Sequence, residues 1–339
     1  MKPLVSILIP AHNAEQWIGD TIRSALTQTW PQTEIIVVDD GSKDLTLQVA
    51  RGFASQKVQV VSQTNQGAAA ARNTAFSKCQ GDYIQWLDAD DLLEPDKIEQ
   101  QMRRVEDGLG RRTLLSGAWG HFRCRKKKAR FLPTALWQDN APLDWLLAKM
   151  GQHLQMQTDN WLVSRELTEA AGPWDVRLWR DNDGEYFCRV ILASDGIRFV
   201  PDAKSYYRTA GFKSISYIGR SSRKLESLFL SMKLHMGYLR SLEDSERTRQ
   251  VCLYYLQEKL PEFYPYRLDI VEQLKQITTQ LGGKFEEPRL SWKYNWIVKC
   301  FGWGLGRQAQ LQLPKLKATL FIAWDKALYR WESRTRAGS

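Results

Sequence analysis

Residues 83–95 have the sequence YIQWLDADDLLEP, in which an apolar run ends in an acidic turn. The run 83–87 predicts a buried strand, and three carboxylates follow it within four residues. Neighbouring carboxylates repel one another and cost free energy to desolvate unless a cation joins them. Since residues two apart on an extended chain point the same way, Asp88 and Asp90 can address one ion. Oxygen ligands of this kind suit Mg²⁺ or Mn²⁺.

A DxD pattern also occurs by chance, so a second interpretation stays open for this stretch. The strand would then be followed directly by a helix, with Asp91 as its N-cap and Pro95 in its first turn. The neighbouring segments of the chain favour the metal site.

Four short apolar runs alternate with helical patterns over the first 87 residues. The predicted strands are residues 4–9, 34–38, 58–61 and 83–87, and the predicted helices are 15–29, 45–53 and 68–78. This alternation predicts an α/β fold of right-handed βαβ units around a mostly parallel sheet. Ligands of such sheets bind at the carboxyl ends of the strands. The residues that fall at this edge are Pro10, His12, Asn13, Asp39, Asp40, Asp88, Ala89 and Asp90.

Several nucleotide-binding classes do not fit this crevice. A dinucleotide site needs GxGxxG after the first strand, where this chain has IPAHNAE, and a P-loop is absent as well. An acidic crevice without a glycine-rich cradle suits a diphosphate that is held through a cation.

The chain resembles the family 2 glycosyltransferases of GT-A fold over about residues 3–217. The resemblance rests on VSILIPAHNAE, EIIVVDDGSKD, NQGAAAARN and GDYIQWLDADD in that order, followed by NDGEYFCRV at 182–190 and YYRTAGFKSIS at 206–216. It implies transfer of one sugar from a nucleotide-diphosphate sugar, with a UDP-sugar favoured, and inversion at the anomeric carbon. The implied acceptor is a saccharide or lipid-linked saccharide, as in polysaccharide or glycoconjugate assembly.

The resemblance also implies roles for individual residues. Asp183 would be the catalytic base, although a helix N-cap or first-turn acid is an alternative for it. Asp90, helped by Asp88, would hold Mn²⁺ or Mg²⁺. Asp40 would accept a hydrogen bond from the imide of the nucleobase. The other implied donor-site residues are Pro10, His12, Asn13, Arg72 and Ala89, with Asn13 favoured as a turn former and Arg72 as a contact of the nucleotide or the aspartates.

Two positions depart from the family pattern. His12 stands where Tyr is common, and Ala210 stands where many members have a His near the metal. Arg208 or Lys213 is therefore expected to meet the diphosphate instead. The QxxRW motif of processive synthases is absent, which favours transfer of single residues.

Residues 108–160 have a less regular pattern and are expected to contribute to an acceptor site. The basic run 123–130, RCRKKKAR, predicts a solvated hairpin or loop, with a contact to an acceptor phosphate or a lipid as the alternative. Trp161, Trp179 and Asn182 are the candidate acceptor residues, although aromatic side chains mostly fill cores.

The pattern becomes helical after residue 218, with predicted helices at 220–242, 247–260 and 268–281. We therefore predict a glycosyltransferase domain at 1–218, divided near 107 into nucleotide and acceptor halves, and a helical extension at 219–339. The tail 288–339 carries ten Lys or Arg against two acids, and five Trp. An amphipathic basic helix at 315–331 would either lie on an anionic membrane or pack on its own domain.

Composition limits the remaining possibilities. The chain of 339 residues is 43% apolar and carries a net charge of +10, which suits anionic partners. Its five cysteines are scattered without a CxxC, and neither a signal peptide nor a membrane span is visible. We expect a cytoplasmic protein, peripheral at the inner face of the membrane. A nucleic-acid-binding or anionic-membrane-binding protein that uses the sheet only as scaffold is the rival interpretation.

Overall fold

A parallel sheet with one antiparallel edge strand forms the centre of the amino-terminal part. The computed structural model describes residues 2–209, 221–264 and 266–286, together with the short segments 292–294, 296–303, 305–306 and 309–310. The sheet has the order β3-β2-β1-β4-β8. Its strands are β1 (Val5–Ala11), β2 (Thr33–Asp40), β3 (Val58–Gln63), β4 (Tyr83–Trp86) and β8 (Val163–Ser164). All pairs are parallel except β4 with β8.

Helices cover both faces of this sheet because its central strands are apolar on both sides. One face packs against α1 (Ile18–Leu26) and α2 (Thr46–Arg51), and the other against α3 (Ala68–Lys78). Alanines on α3 let that helix lie close to the strands. The predicted order of strands and helices is confirmed, with α1 shorter than expected at both ends.

A second sheet was not foreseen. It has the order β5-β9-β6-β7, with β5 (Leu92–Leu93), β6 (Thr113–Phe122), β7 (Arg130–Phe131) and β9 (Gly196–Arg208). The long strands β6 and β9 run parallel, with a register shift between Gly117 and Ala118. A Cβ atom at Gly117 would overlap the carbonyl oxygen of Ala203, so the close approach of the two strands requires glycine there.

Two local predictions are decided by this second sheet. The basic run is a hairpin, as expected, because β7 pairs antiparallel with β6 and a 3-10 turn at Lys126–Lys128 lies between them. The alternative of a helix capped by Asp91 is wrong. Leu92–Leu93 instead pairs with β9, and α4 (Lys97–Glu106) begins only after Pro95.

The remaining helices pack on the α3 side of the sheet. They are α5 (Pro142–Gly151), α6 (Arg165–Ala171), α7 (Asn182–Ala193), α8 (Ser222–Leu242), α9 (Glu246–Lys259) and α10 (Leu268–Gln280). The hydroxyl of Ser164 caps α6 by accepting the Leu167 amide over 3.1 Å, as predicted. The three predicted helices of the extension are present, and their apolar side chains belong to one hydrophobic core with those of α3, α5 and α7.

The described helices include none that is both long and apolar enough to cross a bilayer. Lys213, Ala210 and the predicted helix at 315–331 lie outside the described residues. The domain boundary at 218 stays a prediction.

Candidate active site

An acidic turn joins β4 to β5 at the carboxyl edge of the first sheet. The Asp91 amide donates to the Asp88 carbonyl over 3.1 Å. The hydroxyl of Thr21 on α1 lies 2.9 Å from the carbonyl of Ala89, and the guanidinium of Arg208 donates to the carbonyl of Asp90 over 2.7 Å. The turn is thus held through its backbone from two sides, which leaves its carboxylates to other partners.

The carboxyl group of Asp90 is electrostatically strained. Burial, followed by the charge of Asp88, raises the pKa of Asp90 to about 6, although the Arg208 charge opposes the shift. Burial and the neighbouring carboxylates of Asp159 and Asp90 also raise the pKa of Asp91 well above its usual range. Crowded, half-buried carboxylates are an environment that a divalent cation relieves, so Asp90 and Asp88 fit the predicted metal. Within the described parts of the chain, no group of three or more His, Cys, Asp or Glu side chains could hold an ion unaided. Water and diphosphate oxygens would complete the coordination.

Arg72 connects the acidic turn to the start of α7. From α3 it donates to Asp88 over 2.6 Å and to the side-chain oxygen of Asn182 over 3.4 Å. Its guanidinium is buried, 4.3 Å from the centre of the Trp174 ring. The contact agrees with the prediction that Arg72 meets the aspartates. Asn182, predicted as an acceptor residue, is in this structure a partner of Arg72.

Asp183 lies in the first turn of α7 and is half-buried. Burial, then the charges of Asp181 and Asp88, raise the pKa of its carboxyl group, while Arg72 and Lys149 oppose the shift. Asp183 therefore shares one crevice with the acidic turn. A carboxylate with a raised pKa is a stronger base than an ordinary aspartate, which is the property that the predicted role requires.

The prediction for Asp40 is not supported. Its carboxylate is only 2% exposed and accepts three hydrogen bonds from the segment after β3. The donors are the amides of Gln66 and Gly67, at 2.9 and 2.8 Å, and the side chain of Gln63 at 2.8 Å. Asp40 thereby holds the turn before α3 in place, instead of presenting its oxygens to a nucleobase.

The residues that follow β1 form a polar loop beside this turn. Pro10 is buried within β1, and the half-buried ring of His12 has its Nδ1 atom 2.8 Å from the Asp40 carbonyl. Asn13 has a left-handed backbone with φ of 49°, and its side-chain oxygen accepts the Lys43 amide over 2.8 Å. The expectation that Asn13 shapes a turn is therefore confirmed. The donor-binding role of this loop stays a prediction.

Arg208 is more enclosed than expected. Its guanidinium lies 4.0 and 4.4 Å from the ring centres of Trp17 and Phe122 and donates to the carbonyls of Asp90 and Arg123. Its amide also donates to Asp91 over 2.6 Å. The side chain is buried, so the expectation of an arginine open to the diphosphate is wrong for this structure.

The predicted acceptor tryptophans differ in exposure. Trp161 is 0% exposed and stacks on Phe187 at 5.3 Å, so the expectation that its ring faces an acceptor sugar is wrong. Trp179 is half-buried next to Gly67, and the guanidinium of Arg223 lies 3.7 Å from its ring centre. Trp179 is thus the candidate that borders the crevice.

The sequence pattern did not lead us to predict a buried polar cluster beneath the acidic turn. Lys97 is fully buried and donates to the side chain of Gln85. Burial lowers the pKa of Lys97 to about 7 and raises that of Asp159 to about 7. A sequence signal existed, because Lys97 and Gln101 occupy the inward face of α4 with Ile98 and Met102.

Known proteins are similar to the amino-terminal part of this chain in sequence. Residues 6–131 match the family described as glycosyl transferase family 2. An uncharacterized glycosyltransferase of Haemophilus influenzae is 42% identical over 103 residues, which are 30% of this chain and 41% of that protein. The Escherichia coli chondroitin synthase is 46% identical over 99 residues, 29% of this chain and 14% of the synthase. The chain thus spans less than half of the length of these relatives.

The fold has solved counterparts. Residues 1–349 of S. aureus TarS in complex with UDP-GlcNAc superpose with a TM-score of 0.65 at 18% identity, covering 82% of this chain and 80% of that one. The same part of TarS in complex with UDP gives a TM-score of 0.62. At this identity the likeness establishes the α/β, GT-A-like fold with its helical carboxyl-terminal region. The match to glycosyl transferase family 2 covers residues 6–131 of the 339, the part of the chain that contains the acidic turn.

Proposed function

We propose that the protein is an inverting glycosyltransferase that moves one sugar from a UDP-sugar to a hydroxyl group of a saccharide acceptor. The observation that carries the proposal is the arrangement around Arg72. This residue ties the acidic turn at Asp88 to the helix that begins beside Asp183. In the proposed enzyme, the pair Asp88 and Asp90 binds the cation on one side of this crevice, and Asp183 is the general base on the other.

The proposed reaction is a single displacement. The carboxylate of Asp183 takes the proton of the acceptor hydroxyl as that oxygen attacks the anomeric carbon. The bond from the anomeric carbon to the diphosphate oxygen breaks, UDP leaves, and the configuration inverts. The raised pKa of Asp183 suits proton transfer from a hydroxyl group, and fixed positions of base and acceptor lower the entropic barrier.

We propose Asp90 and Asp88 as the residues that hold Mn²⁺ or Mg²⁺. When bound, the cation neutralises the negative charge of the leaving diphosphate. The side chains themselves contribute in another way: Arg72 orients Asp88, while Arg208 fixes the backbone of the turn beneath Asp90.

Two comparisons support the choice of substrates. TarS was solved with UDP and with UDP-GlcNAc, which favours a uridine nucleotide for this chain. A chondroitin synthase shares 46% of 99 aligned residues, which favours a role in polysaccharide or glycoconjugate assembly. We therefore propose a saccharide or lipid-linked saccharide as acceptor.

The test is a screen of UDP-sugars for UDP release, combined with thermal unfolding in UDP. A transferase releases UDP from at least one sugar, and UDP raises its melting temperature when Mn²⁺ or Mg²⁺ is present. A scaffold that binds only membranes or nucleic acid would show neither effect, and that result would refute the proposal.

We also propose that the basic tail holds the enzyme at an anionic membrane, at its inner face. Among the described residues near the carboxyl terminus, Trp296, Phe301 and Leu305 are 62%, 61% and 50% exposed. The segment 288–339 adds a net charge of +8. Each basic residue near an acidic leaflet contributes about 1 kcal/mol, and apolar side chains add burial in the interface.

Liposome flotation of full-length variants tests the membrane proposal. Replacing Trp296, Phe301 and Leu305 with Ala should weaken flotation on phosphatidylserine vesicles, and 1 M salt should weaken it further. A matched control replaces Leu45, Leu132 and Val176, which are similarly exposed but lie well before the tail in the sequence. Equal flotation of the two triple variants would refute the proposal.

A further inference from the structure

Helix α8 carries a buried polar stripe that faces the segment before Asp183. Ser227, Ser231, His235 and Tyr238 are spaced by four, four and three residues, so they share one face of the helix. The first three are buried, although the rest of the inward surface of α8 is apolar. Buried polar groups cost free energy unless they are hydrogen-bonded, so their partners indicate what the stripe does.

Ser227 fixes the backbone four residues before the proposed base. Its hydroxyl oxygen accepts the amides of Trp179 and Arg180 over 2.8 and 2.9 Å. The same hydroxyl donates to the Arg180 carbonyl over 3.0 Å. One side chain of α8 therefore satisfies three backbone groups of the segment that leads into α7.

Ser231 holds the next residue of this segment. The Ser231 hydroxyl donates to a carboxylate oxygen of Asp181 over 2.8 Å, and the His235 ring lies 3.8 Å from the same oxygen. Asp181 is the residue before α7 and has a left-handed backbone with φ of 60°, which is unfavourable for a residue other than glycine. The bond from Ser231 helps to maintain this conformation.

The conformation of Asp181 determines where Asp183 lies. A Cβ atom at Gly184 would overlap the carboxylate of Asp181, so that carboxylate rests directly on the first turn of α7. The ammonium group of Lys149 on α5 donates to the Gly184 carbonyl over 3.3 Å and supports the same turn. Asp183 stands between Asp181 and Gly184, and its carboxyl position follows from theirs.

We propose that Ser227 and Ser231 are positioning residues for Asp183, acting through the segment Trp179–Asp181. The helical region beyond residue 221 is then part of the catalytic apparatus, since it aims the base at the acceptor. This inference rests on the proposed function, in which Asp183 is the base. Buried positioning of this kind should affect the chemical step and leave the binding of UDP unchanged.

The test is a double-mutant cycle between Ser231→Ala and Asp181→Ala in the full-length protein. Each single variant should lower kcat about 10-fold to 100-fold and leave the dissociation constant of UDP with Mn²⁺ unchanged within about twofold. If Ser231 acts through Asp181, adding Ser231→Ala to Asp181→Ala causes no further loss. Ser241→Ala is the matched control, because Ser241 lies on the same helix, is exposed and bonds only to the Tyr238 carbonyl.

A second readout does not depend on activity. In protein labelled with ¹³C-aspartate, the carboxyl signal that disappears in Asp183→Asn reports the titration of Asp183. Ser231→Ala and Ser227→Ala should shift this titration, whereas Ser241→Ala should not. An unchanged titration, unchanged kcat or additive losses in the cycle would overturn the inference. Failure of the wild type to release UDP from any sugar would instead overturn the proposed function.

Discussion

The guanidinium of Arg72 and the carboxylate of Asp88 are joined by a hydrogen bond of 2.6 Å at the mouth of the crevice. Arg72 is on α3 and Asp88 follows β4, so the bond locks a helix to the edge of the sheet. Because Arg72 also reaches Asn182, it links the proposed cation site to the proposed base.

Replacing Arg72 with Lys should therefore impair transfer without removing the positive charge. An ammonium group lacks the forked geometry that lets arginine serve two partners, so Asp88 and Asn182 lose their common donor. We expect kcat/KM to fall about 100-fold with the fold retained. Arg23→Lys is the control, since Arg23 is exposed and pairs with Asp20 on the surface. Equal activity of both variants would contradict the linking role.

Asp90→Asn should abolish the stabilisation by UDP with Mn²⁺ while preserving the fold. The folded pKa of Asp90 is raised from 3.8 to about 6, so between these values the folded state binds more protons than the unfolded state. The contribution of Asp90 to the stability of the metal-free protein therefore increases as the pH falls from about 6 to about 4, so the unfolding free energy of wild type should rise relative to that of Asp90→Asn over this range. Thermal unfolding checks both effects against Asp107→Asn, an exposed control. If Asp90→Asn bound UDP with Mn²⁺ as tightly as the wild type, Asp90 would not be a metal ligand.

Asp183→Asn should separate binding from chemistry. The amide is nearly the same size as the carboxyl group but cannot take the proton of the acceptor. We expect UDP binding like that of the wild type and a turnover lower by about 100-fold or more, the usual scale for a general base. Calorimetry and UDP release measure the two quantities. If Asp183→Asn turned over near the wild-type rate, another residue would have to be the base.

His235 should make the stability of the protein sensitive to acid. Burial lowers its pKa from 6.5 to about 4, although the nearby charge of Asp181 opposes the shift. Between these values the unfolded state binds more protons, so the contribution of His235 to stability is lost as the pH falls from 6.5 to 4. Tyr255 bonds to the ring, and Asp181 and Lys149 also face it. His235→Gln should lose less unfolding free energy than the wild type between pH 7.5 and 5, as urea denaturation would show. If the unfolding free energies of the variant and the wild type differed by the same amount at both pH values, the effect would be contradicted.

The first sheet was predictable because its central strands are continuous apolar runs that end in polar residues. This pattern correctly located the acidic turn. Helical periodicity predicted the approximate bounds of α8, α9 and α10, and Asp183 lies in the first turn of a helix, as the alternative interpretation of that residue expected. Parallel strands also bring their carboxyl ends together whatever the loops do, so the crevice followed from the order of the elements.

The rest depends on contacts between distant residues. Strands β6 and β9 pair across about 80 positions and contain polar residues, so neither is a simple apolar run. The expected bond between Asp40 and a nucleobase took no account of its three donors from residues 63–67, which are distant in the sequence. Trp161 was a candidate for the acceptor site because nothing in its local sequence shows that Trp145 and Phe187 pack against it. Likewise, the role of the polar stripe of α8 can be inferred only from its contacts with the segment before α7.

The anomeric configuration of the product tests the central claim most directly. Wild-type protein is supplied with the UDP-sugar that it accepts, and the coupling constant of the anomeric proton is measured by NMR before the product equilibrates. Single displacement with Asp183 as base predicts the configuration opposite to that of the donor. A product that retains the configuration of the donor would contradict the mechanism.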